Sequence, residues 1–276
     1  YTAIDARLVA SHPDAYDEIL DYYEAALERA PEDRTLLVGQ SFALWWVSEY
    51  DAALTPLAAL LSRDPEDPYA VLFRGSTRLF VGTDVAGGTS DLAHALSLDA
   101  SNPHAHFVVA DAYTYALPDL PRALEAAERA IQLGLDTPRL QAILATAYLE
   151  MGDARRAGQH FAKHIELGTT ERVGARPLPP GATLTLGVVP GRTFELTLEL
   201  SIDVGVTVTT ASPGDEVDSI LVVLGPDGEP VFGNDDYEGY NAGFTFTPEA
   251  TGTYRVLVTS FEGAGTGTLE ITRGSD

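Results

Sequence analysis

Cysteine is absent from the 276 residues, which excludes a thiol nucleophile, thiolate metal sites and disulfides. That absence fits the cytosol and the exterior equally and chooses neither. Lysine occurs once, at Lys163, beside 16 arginines, so lysine-based catalysis has almost nothing to work with. Long apolar runs are missing too: even Phe42 to Val47 falls far short of the ~20 residues that a membrane-spanning helix needs. Familiar catalytic signatures are lacking, with no His-Glu-x-x-His, no Gly-x-Ser-x-Gly and no Walker loop. The glycine-rich run at 263–267 lies between strand-like segments and precedes no helix, so it reads as a hairpin turn and not as a phosphate cradle.

Acidic side chains, by contrast, are abundant. The net charge is −24, with 12 basic and 26 acidic residues in 1–171 and 5 and 15 in 172–276. Such a surface repels phosphate backbones and argues against nucleic acid as a partner. It suits divalent cations or basic partners, and equally serves solubility. The chain opens at Tyr1 without Met or a basic and apolar leader, which reads as a mature N-terminus or a chosen boundary, any signal peptide having gone.

A period runs through the first half. Ser41, Gly75, Ala110 and Ala145 recur at steps of 34, 35 and 35. Ala26, Leu60, Ala95, Ala130 and His164 keep the same beat, and Pro68, Pro103 and Pro138 step by 35. This period marks a helix-turn-helix solenoid. In the segment 143–168, Leu144, Ala145 and Tyr148 stand on one helix, Gly152-Asp153 breaks it, and Ala157 and Phe161 follow on the next. These residues resemble the tetratricopeptide repeat, and the resemblance covers 1–171. It implies small residues where paired helices cross and a concave inner wall built by the first helix of each pair. Departures are Arg78 in a large apolar slot, Arg7 in a small one, and glycines in 82–91 where a helix should start, which predicts a longer or frayed turn there.

Near 168–180 the texture changes to Gly, Pro and Thr without periodicity, and 172–180 reads as a linker. Beyond it come short β-branched and aromatic runs separated by turn formers, the pattern of an antiparallel β-sandwich over 181–276. Asp218, Pro226-Asp227-Gly228, Asn234-Asp235-Asp236 and Gly252-Thr253-Tyr254 fall in an order similar to that of the bacterial pre-peptidase C-terminal domain. That resemblance covers 180–273. It implies a jelly-roll-like sandwich, export to the periplasm, cell surface or medium of a bacterium, and association with secreted proteases. The expected fold is therefore a tetratricopeptide-like superhelical domain, 1–171, followed by a β-sandwich.

Candidate sites follow from these placements. Counting one, four and five residues from each small marker gives an inner wall containing Phe42, Trp45, Trp46, Leu79, Phe80, Asp111, Tyr115 and Leu149, a groove for a protein or peptide segment. The plain alternative is that the aromatics are covered by residues 1–13 or by the sandwich. Asn234, Asp235 and Asp236 with Asp218 supply oxygens for Ca²⁺, although Asn and Asp also make turns for their own sake. His160 and His164, four apart, have metal spacing, but His164 occupies a packing slot. The expectation is a non-catalytic exported adaptor, the sandwich serving attachment, spacing or calcium-dependent rigidity. Two other readings are a carbohydrate- or matrix-binding sandwich using Tyr237, Tyr240, Phe244 and Phe246, and a hydrolase using Asp111 and Glu150.

Overall fold

A computed structural model describes residues 15–47, 49–212, 217–235, 241–261 and 267–274, the side chains of 15–17 and 46 excepted. The chain divides into two compact units, Tyr1–Asp136 and Thr137–Asp276.

The first unit is helical: α1 (Ala15–Arg29), α2 (Arg34–Trp46), α3 (Tyr50–Leu61), α4 (Pro68–Val81), α5 (Val85–Leu98), α6 (Pro103–Asp111) and α7 (Leu120–Gln132). The turn formers of the repeat are helix caps. Asp33, Asp67, Asp84, Asn102 and Asp119 each accept hydrogen bonds from backbone N–H groups two or three residues on. Pro68 and Pro103 stand at the start of their helices, where no N–H is needed. The small markers lie at the crossings within hairpins: Ser41 Oγ donates to the Ala53 carbonyl at 3.0 Å, and Ala110 is fully buried.

The glycines of 82–91 do not lengthen the turn, contrary to the expectation from their helix-breaking character. Gly82 closes α4 at φ 74°, Asp84 caps, and α5 begins at Val85. The glycines are needed because α4 and α5 touch by their backbones: a Cβ on Gly88 would lie 2.9 Å from the Gly75 carbonyl oxygen. Arg78 keeps its apolar slot by pairing. Arg74 reaches both oxygens of Asp91 at 2.7 Å and Arg78 adds a third bond at 2.9 Å, burying the carboxylate between the two helices.

The second unit begins with two helices, α8 (Pro138–Glu150) and α9 (Ala154–Gly168). Nine strands follow among the described residues: β1 (Glu171–Pro177), β2 (Thr183–Val188), β3 (Arg192–Leu200), β4 (Val206–Ala211), β5 (Ser219–Leu224), β6 (Pro230–Asn234), β7 (Gly243–Phe246), β8 (Gly252–Ser260) and β9 (Gly267–Arg273). They form a five-stranded sheet, β1-β3-β8-β5-β6, and a four-stranded sheet, β2-β9-β4-β7. Every pairing is antiparallel except β1 with β3. Strand β1 occupies most of the stretch expected as a linker. It carries no alternation because it is an edge strand in which only Val173 is partly buried.

Leu196, Leu198, Val208, Leu221, Val223, Phe244, Val256, Val258, Leu269 and Ile271 fill the space between the sheets. Strand β5 is buried on both faces, which is why its sequence is a continuous apolar run. Leu221 and Val223 point into the sandwich, while Ile220, Val222 and Leu224 join Ala145, Ala157, Phe161, Ile165 and Leu257 in a second core under α8 and α9. The last helical pair and the larger sheet thus share one apolar core.

Candidate functional site

On the first helix of each pair the markers Ser41, Gly75 and Ala110 face the partner helix. A position four residues later lies only about 40° around the helix from its marker, so it shares the crossing face. Trp45 and Leu79 show the consequence. Leu79 is 2% exposed and rests on Gly88, and Trp45 meets Phe80 edge-on at 5.3 Å and Tyr50 at 6.0 Å. The indole N–H of Trp45 is buried without an acceptor.

Positions one residue on are also largely taken up. Phe42 packs edge-on against Phe73 at 6.0 Å, and Asp111 is 6% exposed, so neither Leu79 nor Asp111 presents itself to a partner. The fifth position is the outward one. Phe80 is partly buried and stacks on Tyr50 at 5.5 Å, and Tyr115, in the π-helical turn Ala112–Ala116 that ends α6, is 38% exposed. The side chain of Trp46, at the fifth position of α2, lies outside the described residues, as does the segment 1–13. Leu149 belongs to the second unit, where it packs against the helix–sheet core.

The cation candidates gather by topology. Strand β5 runs antiparallel to β6 and β8, with Leu221 opposite Asn234 and Ser219 opposite Ser260. Asp218, Asn234, Asp235 and Ser260 therefore stand at one end of the sheet. Asp235 is 6% exposed, and the Oδ1 of Asn234 and the Oγ of Ser260 are buried with no hydrogen-bond partner. A hard cation such as Ca²⁺ takes six to eight oxygens, and the orphaned oxygens of Asn234 and Ser260 stand on strands separated by β5. Asp236 lies outside the described residues, and among those described no group of three acidic or histidine side chains is poised on a metal.

The two histidines of α9 are committed separately. Nδ1 of His160 meets Gln141 Oε1 at 2.8 Å and its ring stacks on Tyr148. His164 donates from Nδ1 to the Pro138 carbonyl at 3.0 Å and stacks on Phe261 at 5.7 Å. Burial pushes the His164 imidazole below its ordinary range; the Pro138 bond opposes this and Arg139 adds to it. Of the sandwich aromatics offered for carbohydrate, Phe244 is 1% exposed in the core and Phe246 packs on Tyr254, because inward strand positions bury their rings. Tyr237 and Tyr240 lie outside the described residues. Asp111, in the first unit, is 6% exposed, and Glu150 lies in the second unit.

The most consequential contact was not singled out in the sequence. Gly158 of α9 lies against β6: a Cβ there would sit 2.7 Å from the Phe232 carbonyl carbon, and one on Gly233 would sit 2.7 Å from the Gly158 Cα. The signal was present, because the same slot in the earlier pairs holds Leu54, Thr89 and Leu124.

Hairpins with buried small residues at their crossings, followed by a two-layer β-sandwich, define a helical-repeat protein with a C-terminal strand module. The chain is similar to TTC0263, a thermophilic TPR protein of Thermus thermophilus, at 23% identity over 59% of this chain and 90% of that one, with a TM-score of 0.49. Similarity to MamA from Desulfovibrio magneticus RS-1 is 20% identity over 59% and 92%, TM-score 0.44. The pre-peptidase C-terminal domain of collagenase from Bacillus anthracis aligns at 14% identity over 36% of this chain and 94% of that domain, TM-score 0.32. No family model matches the chain, and no curated protein matches it significantly. No helix among the described residues is long and apolar enough to cross a membrane.

Proposed function

We propose that the protein is a non-catalytic bacterial adaptor acting outside the cytoplasm, whose helical repeats bind a protein or peptide segment on the face made by α2, α4 and α6. The observation that carries this reading is the pair of rings at the outward fifth positions, Phe80 at the end of α4, partly buried and stacked on Tyr50 of α3, and Tyr115 after α6, 38% exposed. Rigid aromatics with part of their surface open are the side chains that contribute most at protein interfaces. The extracytoplasmic placement rests on the resemblance of the strand module to a domain of secreted bacterial proteins. That module would serve attachment and spacing, with Ca²⁺ held by Asp218, Asn234, Asp235 and Asp236 to stiffen it.

Peptides selected by display on the full chain test the binding face. Tyr115→Ser should weaken the selected peptides about tenfold or more, with the melting midpoint measured beside it because the ring is 38% exposed. Undiminished binding to both Tyr115→Ser and Phe80→Leu would place the interaction elsewhere.

A further inference from the structure

One slot on the second helix of each pair falls at Pro56, Asp91, Ala126 and His160, at steps of 35, 35 and 34. In the second pair Asp91 spans the gap to the first helix and binds Arg74 and Arg78 of α4. In the last pair His160 does the same, meeting Gln141 at 2.8 Å and stacking on Tyr148 of α8. The slots of Gln141 and Tyr148 recur in the third pair as His106 and Tyr113, 35 residues earlier, but the slot of His160 holds only the methyl of Ala126. A cavity of about 700 Å³ stands there, lined by Ala126, His106 and Tyr113 together with residues of α5. That is within the range of small-molecule sites.

Leu92 and Leu96 of α5 and Val109 of α6 make much of the lining apolar. Two buried polar rings join them. His106 turns Nε2 to the Ala100 carbonyl at 3.0 Å. Tyr113 accepts from Arg122 Nη1 at 3.3 Å, with the guanidinium 5.4 Å from its ring centre, and nothing among the described residues accepts the hydroxyl proton. A buried hydroxyl that donates to nothing gains by meeting an acceptor oxygen. Charge selects the kind of oxygen. Arg122 and Arg129 in the lining are balanced by Glu125 and Glu128, and the chain carries −24, so no net field draws a carboxylate in. We propose that this cavity binds an uncharged, largely apolar small molecule whose carbonyl oxygen accepts from Tyr113 and Arg122. The site lies on α5 and α7 and does not depend on the peptide-binding face.

The test uses the full chain and three probes of similar shape: acetophenone, ethylbenzene, which lacks the oxygen, and benzoate, which is charged. Each is titrated while the amide signals of α5, α6 and α7 are followed by NMR. Acetophenone should shift them saturably and bind about two- to tenfold more tightly than ethylbenzene, the worth of one hydrogen bond. Benzoate should bind more weakly than acetophenone. Tyr113→Phe keeps the ring and should bring acetophenone down to the level of ethylbenzene, leaving ethylbenzene where it was. Ala126→Leu fills the slot and should remove the binding of both. No saturable shift with acetophenone overturns the site, and so does undiminished binding in Ala126→Leu. Ethylbenzene binding as tightly as acetophenone, or a Tyr113→Phe chain that still prefers the ketone, overturns the hydrogen-bond assignment and the ligand class with it. Benzoate binding most tightly overturns the uncharged class. Wild type and Tyr113→Phe decide the matter even where Ala126→Leu does not fold.

Discussion

Two glycine contacts in this chain look alike and do different work. At Gly75 and Gly88 two helices of one hairpin meet, and the contact repeats a device built into the period, since the matching slots elsewhere are Ser41, Ala110 and Ala145 opposite Ala53, Ala123 and Ala157. At Gly158 and Gly233 a helix meets a strand. This second contact uses a slot that is Leu or Thr in every earlier pair, so it belongs to the junction and not to the repeat. The difference teaches that the last hairpin faces two ways. Its crossing obeys the repeat through Ala145 and Ala157, and its outer surface is cut to fit a sheet.

The largest expected effect tests where that allegiance lies. A fragment 137–276 should unfold in one cooperative transition, whereas 172–276 should aggregate, because Ile220, Val222, Leu224 and Leu257 would lose their cover. Equal solubility and stability of the two fragments would show that the helical pair is dispensable to the sandwich.

Phe161→Ala comes next, with a loss of about 3–5 kcal/mol on chemical denaturation, since its ring is fully buried between α9 and the sheet. Gly158→Leu, which installs the residue of the earlier pairs, should cost about 1–3 kcal/mol by overpacking. The converse change, Leu54→Gly in α3, should cost only about 1 kcal/mol beyond the apolar area it gives up. A Gly158→Leu chain melting with the wild type would mean that β6 and α9 are not in backbone contact.

The smallest effect is one of pH. Burial holds the folded-state pKa of His164 below its unfolded value of about 6.5, so the unfolded chain binds the extra proton first. Its contribution is complete above the unfolded value and is lost as pH falls from about 6.5 toward the folded pKa. Comparing wild type with His164→Leu by denaturant titration between about pH 7.5 and pH 5.5 should show a shallower loss in the variant. Identical slopes would mean that His164 is hydrated in the folded protein.

The helices of the first unit were legible because caps, prolines and small residues act locally and repeat. The proposed binding face was legible only in part. A count of four residues returns Trp45 and Leu79 to the crossing, and only the packing of Leu79 on Gly88 reveals which way the position turns. Likewise Asn234 and Asp235 could be offered as cation candidates from composition, but their nearness to α9 through Gly233 could not be read there.

What the amino acids determined by themselves is the succession of elements: period, caps and breakers specify hairpins, and short β-branched runs between turn formers specify strands. Tertiary structure alone decided where the chain divides. Periodicity records which residues turn inward, yet an apolar surface on α9 is equally satisfied by another helix or by a sheet. Only the juxtaposition of Gly158 with Gly233, distant in sequence and touching in space, selects the sheet.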